Sequence, residues 1–538
     1  MNRDGSISTL QSEKFDLLII GGGITGAGIA LDAAARGLKT ALVEKNDFAF
    51  GTSSRSTKLI HGGLRYLKQL EFGLVREVGS ERAVVHRLAP HLVIPEKMLL
   101  PLYEKRGLGS MLTSIGLKLY DWLAGVKPED QRKMLTRKQT LKQEPLLNPL
   151  DVKGGAVYAE YRTDDARLTI EIIKSANAHG ATVANYCEAT EFIYADRKVN
   201  GVTVLDKLSG GVFVIESNVI VNATGPWVDS LRDLDKSKTG KYLHLTKGVH
   251  LVVPHEKLPV AQSIYFDVGD GRMIFAIPRG RITYVGTTDT NYPFNIDEVH
   301  TEKADAQYLI NAINLTFTNI NLELKDIESS WAGLRPLIHE EGKAASELSR
   351  KDEIFESSSG LISIAGGKLT GYRKMAERIV DLVVKRKFDE RELKSCLTGS
   401  ILLASSDFRN YDQVRSYRKI VFEKLKLLHL QHHTDTLVSA FGKQCDDILA
   451  RIENSVGEDN EYRLVEAQLH YCIELEMVKT AADFFVRRTG LLYFDLPLLR
   501  NVLDPCLQVM ATVFNWTEVR LGEERKELLR LIREAHPF

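Results

Sequence analysis

Hydrophobic and polar positions follow two different periods along this chain, and the change of period divides it. Up to about residue 385, short apolar runs of strand length alternate with stretches of helical period. Within this part, the runs 273–277 and 282–285 are joined by a glycine-containing turn and predict an antiparallel hairpin. From about residue 405 the pattern is helical, with a long amphipathic stretch over 462–486. The pattern predicts an α/β body followed by a separate all-α domain.

A complete βαβ unit occupies residues 15–44. The apolar run 17–20 is typical of a buried parallel strand, residues 24–36 follow a helical period that Gly37 is placed to end, and residues 40–43 predict a second strand. Between the first strand and the helix, three glycines have the G-x-G-x-x-G spacing: Gly21, Gly23 and Gly26. This combination predicts a dinucleotide-binding site.

Each of these glycines has its own steric role. Gly21 permits a tight turn, Gly23 lets the backbone approach a pyrophosphate, and Gly26 lets the helix pack closely on the strand. The phosphates would then meet the N-terminus of the helix. Glu44 follows the second strand, where a carboxylate accepts a hydrogen bond from a ribose hydroxyl and disfavours a 2′-phosphate.

Composition and charge exclude several other classes of protein. The chain has 538 residues, with 71 Lys plus Arg and 71 Asp plus Glu, so its overall charge gives no reason to expect nucleic acid as a partner. The five cysteines lack C-x-x-C and metal-ligand spacing, so we expect neither a disulfide nor a metal site. The chain contains no apolar signal core and no apolar run of about 18 residues, so we expect it to be neither exported nor membrane-spanning.

Two other strand ends run into turns, but neither carries a second dinucleotide fingerprint. These turns lie at 222–227 and 366–370. With a single fingerprint, an NAD(P)H reductase built from two such units is disfavoured, and electrons should come from an organic substrate. The loop after Glu44 is rich in Ser, Thr and Gly, as expected around a pyrophosphate and a flat ring, although a plain surface loop is the alternative.

From about residue 14 to the end, the chain closely resembles the aerobic-type FAD-dependent glycerol-3-phosphate dehydrogenases. The resemblance rests on these segments, in order: 21–28, 53–66, 222–229, 247–250, 285–289, 331–336 and 366–373. Two positions depart from the family pattern, Val249 where a serine is expected and Gly371 where a threonine is expected. These departures affect local contacts and leave the class unchanged.

The resemblance implies an α/β fold with a Rossmann-like FAD-binding domain of the glucose- and amino-acid-oxidase type. An antiparallel-sheet substrate domain and an all-α C-terminal domain complete it. We expect the FAD-binding domain over 1–85, 150–232 and 352–392, the substrate domain over 86–149 and 233–351, and the helical domain over 393–538. Three roles stay open for the helical domain, namely capping the substrate domain, contacting a partner or forming a homodimer.

The cofactor implied by the resemblance is FAD, and the matching segments imply which residues hold it. These residues are Gly21, Gly23, Gly26, Glu44, Thr52, Ser53, Ser54, Gly62, Gly63, Thr224, Gly225, Gly367, Lys368, Leu369 and Thr370. The amides at the start of the last helix of the α/β body, together with Lys368, are placed to face the negative charge of a reduced flavin. An ordinary packing turn between strand and helix is the alternative.

The implied substrate is sn-glycerol 3-phosphate, oxidised to dihydroxyacetone phosphate by hydride transfer from C2 to flavin N5 in glycerol catabolism. Arg65, Arg335 and Lys368 are the candidates for binding its phosphate, because Arg suits bidentate phosphate recognition. Tyr66 is expected to donate a further hydrogen bond. Arg335 is also expected to polarise the reacting oxygen, whereas Lys368 could instead serve the flavin.

Two histidines compete for the role of catalytic base. His61 and His250 both lie in resembling segments, and imidazole titrates near neutral pH. His61 stands before two glycines, where close approach to a flavin ring is expected. His250 opens an apolar segment and could equally be a core histidine. The sequence leaves the choice open.

The family passes its electrons to membrane quinone, which implies a cytoplasmic protein attached peripherally to the membrane surface. The segment 102–125 has apolar residues at helical spacing with cations nearby, which suits interfacial docking as well as packing on the protein's own core. The alternatives are a glycerol-3-phosphate oxidase that uses oxygen, an amine or amino-acid oxidase, and a non-catalytic flavoprotein whose helical domain binds a partner.

Overall fold

The computed structural model describes residues 1–61, 72–103, 118, 131–339, 351–454 and 459–538. The first of two large sheets follows the order β17-β18-β10-β1-β2-β7, and β9 extends it by pairing with β10 and β8. Its strands are β1 (Phe15–Ile20), β2 (Thr40–Val43), β7 (Thr182–Ala184), β8 (Cys187–Ala195), β9 (Lys198–Asp206), β10 (Val212–Asn222), β17 (Glu353–Glu356) and β18 (Ile362–Ala365).

Three strands of this sheet end together at one edge. Strand β1 pairs in parallel with β10 and β2, and β10 pairs in parallel with β18. All the side chains of β2 and β18 are buried, as expected for a parallel sheet that is covered on both faces. Because parallel strands share their carboxyl edge, the turns after β1, β10 and β18 meet at that edge. An open α/β sheet binds its ligands at this position.

The second sheet faces this edge. Its order is β15-β11-β14-β13-β12-β4-β6-β3, with β16 paired to β11 and β5 paired to β6. Its strands are β3 (Leu59–Ile60), β4 (Ile94–Tyr103), β5 (Lys133–Thr136), β6 (Val152–Arg162), β11 (Leu243–Pro254), β12 (Ser263–Asp267), β13 (Met273–Arg279), β14 (Ile282–Gly286), β15 (Thr290–Asn291) and β16 (Ser329–Ile338). The antiparallel β13–β14 pair confirms the predicted hairpin. Strand β6 lies in this sheet, although residues 150–162 were assigned to the cofactor domain; the domain boundaries stay predictions.

Helices cover the first sheet and fill the spaces between strands. They are α1 (Arg3–Ser12), α2 (Ile24–Arg36), α3 (Phe72–Leu88), α4 (Arg137–Gln143), α5 (Asp165–Ala178), α6 (Val228–Leu234), α7 (Lys303–Thr316) and α8 (Tyr372–Lys387). Helix α2 has the predicted bounds and ends at Gly37, whose φ of 100° is the left-handed conformation that glycine adopts at low cost. Among the described residues, no helix is long and apolar enough to span a bilayer.

The described residues after 405 are helical, as predicted, and they share a large apolar core. The helices are α9 (Tyr411–Lys426), α10 (Thr434–Phe441), α11 (Cys445–Asn454), α12 (Asn460–Leu475), α13 (Leu491–Phe494), α14 (Leu496–Phe514) and α15 (Glu518–Ala535).

The single long helical stretch expected over 462–486 is wrong. Helix α12 ends at Leu475, Met477 has a φ of 53°, and a separate π-helical turn covers Asp483–Arg488. The carboxylate of Glu476 accepts hydrogen bonds from Arg167 and Lys174 of helix α5. The chain turns at this buried ion cluster, and an apolar period cannot reveal such a turn.

Candidate active site

A cavity of about 670 Å³ lies between the carboxyl edge of the first sheet and strands β11 and β16 of the second. Its volume falls within the range of about 300–1,000 Å³ typical of ligand sites. Most of the predicted site residues line it: Gly21, Gly23, Glu44, Thr52, Ser53, His61, Thr224, Gly225, His250, Arg335, Gly367, Lys368, Leu369 and Thr370. Residues far apart in sequence therefore meet around one space.

The glycine turn after β1 forms one wall of the cavity. Gly21 has a φ of 116°, and a Cβ atom added there would lie 2.6 Å from the carbonyl oxygen of Ala223. A Cβ atom at Gly26 would lie 1.9 Å from the carbonyl oxygen of Gly21. Gly21 thus provides the turn and Gly26 the close packing of helix on strand, as predicted. Gly26 itself does not line the cavity.

Glu44 closes this end of the cavity. Its carboxylate accepts hydrogen bonds from the backbone N–H of Gly22 at 2.6 Å and of Asn46 at 2.9 Å. Burial raises the pKa of Glu44, and these two amides counteract part of the rise. The carboxylate therefore ties the loop after β2 to the glycine turn while it faces the cavity, and its contact with a ribose stays a prediction.

Side chains from the turn Thr52–Ser54 support the start of helix α2. Ser53 Oγ accepts the N–H of Ile24 at 3.0 Å, and Thr52 donates to the carbonyl of Leu334 at 2.7 Å. The third predicted residue of this turn, Ser54, is buried and does not line the cavity; its carbonyl oxygen accepts a hydrogen bond from Lys58. Ser54 therefore contributes to the buried contacts of this turn and does not face the cavity.

The turn after β18 forms another part of the cavity wall. Gly366 and Gly367 both have left-handed φ angles, of 76° and 81°, and they lead through Lys368 into a short 3₁₀ turn and helix α8. Thr370 donates from its hydroxyl to the carbonyl oxygen of His61 at 3.3 Å. This bond brings the loop that carries His61 next to the turn that carries Lys368.

Strands β11 and β16 bring His250 and Arg335 to the far end of the cavity. The two strands are antiparallel neighbours, with His250 opposite Trp331 and Thr246 opposite Arg335. Residue 248 lies between them and is glycine; a Cβ atom there would lie 2.1 Å from an Arg335 guanidinium nitrogen. The guanidinium therefore occupies the space above a glycine, beside the imidazole of His250.

The imidazole of His250 is almost fully buried. It is 2% exposed, stacks on the Trp331 indole at 4.8 Å between ring centroids, and its Nε2 lies 3.0 Å from the Thr57 hydroxyl. Burial lowers the pKa of His250 well below its usual value, and the charges of Arg335 and Lys58 lower it further. His250 is therefore neutral at physiological pH.

Arg335 is held in one orientation by two polar partners. Its guanidinium donates to the Thr287 hydroxyl at 2.8 Å and to the Asp289 carboxylate at 3.2 Å. The side chain keeps 20% of its surface exposed and lines the cavity. A guanidinium that is already held in place and is still partly exposed can bind an anionic ligand without much loss of side-chain entropy.

Sequence reasoning missed the buried ion pair beneath the histidine. Lys58 is 2% exposed, donates to the Asp165 carboxylate at 2.5 Å, and lies 5.6 Å from the centre of the Trp331 ring. Trp331 in turn donates from its indole to the carbonyl of Ser56 at 3.1 Å. Two further cavity residues were also missed, the cation Arg55 and the indole of Trp227. Local spacing gives no signal for any of these long-range contacts.

Four predicted site residues lie outside the described part of the chain: Gly62, Gly63, Arg65 and Tyr66. Their proposed roles stay predictions. The roles of the residues that line the cavity also stay predictions, although their positions agree with them. The cavity fits FAD by the chemistry of its walls, since it offers an open glycine turn at a helix N-terminus, a carboxylate beyond the second strand and a cationic far end.

Comparison with protein families agrees with this fit. Residues 16–373 match the family described as FAD dependent oxidoreductase, and residues 399–521 match the C-terminal domain of alpha-glycerophosphate oxidase. The aerobic glycerol-3-phosphate dehydrogenase of Bacillus subtilis is 48% identical over 99% of this chain and 98% of its own length. The enzyme of the same name from Staphylococcus saprophyticus is 47% identical over 99% and 97%.

Solved structures agree as well. The FAD complex of the glycerol-3-phosphate dehydrogenase from Bacillus halodurans has a TM-score of 0.84 and 44% identity, covering 99% of this chain and 97% of that one. An L-alpha-glycerophosphate oxidase from Mycoplasma pneumoniae, at 20% identity and a TM-score of 0.55, shares the fold. The predicted fold class and the predicted cofactor are confirmed. This chain belongs to the aerobic glycerol-3-phosphate dehydrogenase family and is an FAD-dependent enzyme.

Proposed function

We propose that this enzyme oxidises sn-glycerol 3-phosphate to dihydroxyacetone phosphate and passes the electrons to membrane quinone. The names of its relatives support the substrate. The observation that carries the proposal is that one cavity is lined by two cations, Arg335 and Lys368, and by two histidines, His61 and His250. A phosphorylated alcohol needs this combination of an anion-binding group and a proton acceptor.

Arg335 and Lys368 bind the phosphate. The guanidinium of Arg335 is oriented by Asp289 and Thr287, so its charge faces the cavity in a fixed direction. Lys368 lines the same cavity from the turn after β18. Two cations carried by different elements of the fold hold the phosphate at one place and thereby fix the position of C2. Arg65 and Tyr66 contribute further contacts in this proposal.

His61 is the base that accepts the proton of the C2 hydroxyl. It lines the cavity and its ring stands edge-on to Phe275 at 6.1 Å. His250 is the weaker candidate, because burial and the charge of Arg335 lower its pKa and a base of low pKa has little driving force for accepting a proton. The neutral ring of His250 instead orients the reacting hydroxyl beside Arg335.

When bound, FAD supplies the acceptor, at N5, for the hydride that leaves C2. The substrate loses this hydride from carbon and the proton from oxygen, which together amount to a two-electron oxidation of a secondary alcohol to a ketone. The protein's part is to hold the hydroxyl against the base, to bring the charge of Arg335 close to the oxygen, and to enclose the site between strands β11 and β16 and the first sheet.

The two candidate functions, dehydrogenase and oxidase, differ in their electron acceptor. In the dehydrogenase, membrane quinone takes the electrons and the protein works at the cytoplasmic face of the membrane; in the oxidase, oxygen takes them and peroxide forms. The oxidase is supported by the match of the C-terminal domain to that of alpha-glycerophosphate oxidase. The 47–48% identity to aerobic glycerol-3-phosphate dehydrogenases over 99% of the chain supports the dehydrogenase. The predicted docking segment, 102–125, lies mostly outside the described residues.

An anaerobic titration tests this proposal. The FAD-loaded protein is titrated with sn-glycerol 3-phosphate while the absorbance of oxidised flavin is followed, and a soluble quinone analogue or air is then added to separate samples. The enantiomer sn-glycerol 1-phosphate is the matched control. We expect bleaching by sn-glycerol 3-phosphate only, followed by recovery that is much faster with quinone than with air.

The other outcomes are equally informative. Rapid recovery in air with formation of peroxide would replace the dehydrogenase with the oxidase. A fully loaded flavin that sn-glycerol 3-phosphate does not bleach would contradict both and would favour an amine oxidase or a non-catalytic flavoprotein.

A further inference from the structure

Residues 44–54, here called the cofactor loop, follow β2 and include the turn Thr52–Ser54. Both ends of the loop line the cavity, through Glu44–Asn46 and through Phe50–Ser53. The middle of the loop, Asp47–Ala49, is buried behind the cavity wall. Within it, Phe48 belongs to the apolar core of the first sheet, whereas Asp47 contacts the C-terminal helical domain.

Asp47 is the point of contact with that domain. Its carboxylate is 0% exposed and accepts three hydrogen bonds from two consecutive arginines of the π-helical turn: Arg487 Nε at 2.6 Å and Arg488 at 2.7 and 2.9 Å. The side-chain amide of Asn185 donates a fourth at 3.1 Å. Burial alone would raise the pKa of Asp47, but the two guanidinium groups outweigh it and lower the pKa below its usual value.

The same loop is attached to the glycine turn on its other side. The N–H of Ala49 donates to the carbonyl of Gly22 at 3.0 Å, and the Gly22 N–H donates to the Glu44 carboxylate. Arg487 also lies 5.7 Å from the ring of Phe50, which lines the cavity. The loop is therefore fixed between the turn expected to hold the pyrophosphate and the two arginines of the C-terminal domain.

These contacts have a direct consequence for FAD. A buried carboxylate without its cations is costly, so releasing Asp47 would draw the loop toward water. Glu44 and Phe50, three residues to either side, would move with it. We propose that the C-terminal helical domain is part of the FAD site, and that Asp47, Arg487 and Arg488 are positioning residues that hold the cofactor loop in its FAD-binding conformation.

A second ion cluster at the same domain boundary offers a matched control. Glu171 on α5 is fully buried and accepts hydrogen bonds from Arg167 at 2.7 Å, from Lys174 at 3.1 Å and from the N–H of Ser405 at 3.0 Å. It resembles Asp47 in burial and accepts three hydrogen bonds where Asp47 accepts four. Its link to the cofactor loop is indirect: Arg167 also binds the Glu476 carboxylate, and the Glu476 carbonyl accepts a hydrogen bond from Arg488. Its removal should weaken the boundary and should disturb the loop much less than the loss of Asp47 does.

The test compares Asp47→Asn with Glu171→Gln in the full chain. The apo-protein of each is titrated with FAD, the dissociation constant is obtained from the quenching of flavin fluorescence, and the thermal unfolding midpoint of each apo-protein is measured separately. We expect both midpoints to fall. We expect Asp47→Asn to raise the dissociation constant for FAD by about tenfold or more, the lower end of the loss that follows removal of outer-shell partners at metal sites. We expect Glu171→Gln to raise it much less.

Arg487→Lys keeps the test decisive if Asp47→Asn does not fold. Lysine retains the charge but cannot reproduce the bond from Nε to Asp47 at 2.6 Å while also reaching Asp483. This variant should fold and should bind FAD a few times more weakly than wild type. The proposal is overturned if the dissociation constants of Asp47→Asn, or of Arg487→Lys where the first is unstable, equal that of Glu171→Gln.

Discussion

The two ends of the cavity are lined by different kinds of groups. At the end near Glu44, the surface consists mainly of backbone at Gly21 and Gly23 and of small hydroxyl side chains. At the far end it consists of long side chains that project from β11 and β16, above all His250 and Arg335. At the first end, a side chain added to a glycine would take up space that the cofactor needs. At the second end, binding and catalysis depend on particular functional groups.

This difference separates binding from chemistry. Adding a side chain at the first end should remove the cofactor while leaving the far end intact. Removing a side chain at the second end should leave the cofactor bound while slowing its reduction. The two measurements, FAD affinity and the rate constant of flavin reduction, therefore report on different ends of one cavity.

Gly23→Val is expected to have the largest effect, namely loss of FAD binding. The backbone of Gly23 is already extended, with φ of −77° and ψ of 179°, so valine can adopt it, and the added Cβ would meet Ser53 Oγ at 3.1 Å. The fold should survive, but the side chain would occupy the space of the pyrophosphate. Gly522→Val is the control, since nothing lies within 4 Å of a Cβ there. An intact flavin spectrum in Gly23→Val would refute the geometry of this wall.

His61→Asn should slow flavin reduction by sn-glycerol 3-phosphate by about 10²–10⁴-fold, the usual contribution of a general base. FAD should stay bound. His250→Asn should slow it less, because the proposed role of that ring is orientation. Stopped-flow absorbance measures both rate constants. If the His250 variant is the slower of the two, the assignment of the base is reversed.

The pH dependence distinguishes the two histidines further. Burial holds the pKa of His250 well below its usual value, so we expect its ring to stay neutral between pH 6 and 8. A rise in the reduction rate over this range must then come from another group. We expect His250→Asn to retain the rise and His61→Asn to lose it. A rise that disappears only in His250→Asn would contradict the assignment.

Arg335→Ala should slow reduction by about 10²–10³-fold, as loss of a donor to a reacting oxygen does in other enzymes. It should also weaken substrate binding, because the phosphate loses a cation. FAD should remain bound, since the residue lies at the far end. The control is Arg281→Ala, which removes an arginine that is paired with Glu328 outside the cavity. Normal reduction in Arg335→Ala would remove this residue from the site.

Trp227→Phe should have the smallest effect and should act at the first end only. The Trp227 indole donates to the Asp297 carboxylate at 3.0 Å and lines the cavity. Loss of one such bond costs about 1 kcal/mol at most, so FAD affinity should fall by no more than about fivefold, with an unchanged reduction rate. Asp297→Asn retains an acceptor for the indole and should weaken FAD less. A change in the reduction rate at full FAD occupancy would contradict the separation of the two ends.

The first end could be predicted from the sequence and the second only in part. The strand, glycine turn, helix and carboxylate of residues 15–44 are contiguous, so local periods and spacing define them, and helix α2 has the predicted bounds. Arg335 and His250 were found through the family resemblance. The Lys58–Asp165 pair beneath them joins residues more than a hundred positions apart, and no local period records it.

The C-terminal domain shows the same limit. The apolar period of the sequence predicts its helices. The break after Leu475 and the contact between Asp47 and Arg488 depend on buried charges that meet only in the folded chain. Apolar spacing predicts which face of a helix is buried. It does not predict which charged side chains of a neighbouring domain will be buried against that helix.

The most direct test of the account compares flavin reduction by sn-glycerol 3-phosphate and by glycerol, in the wild type and in Arg335→Ala, at full FAD occupancy. Glycerol offers the same alcohol without the phosphate. The account predicts that the wild type is reduced about a hundredfold or more faster by the phosphorylated substrate, and that Arg335→Ala narrows this ratio. Equal rates with the two substrates in the wild type, or an unchanged ratio in the variant, would contradict it.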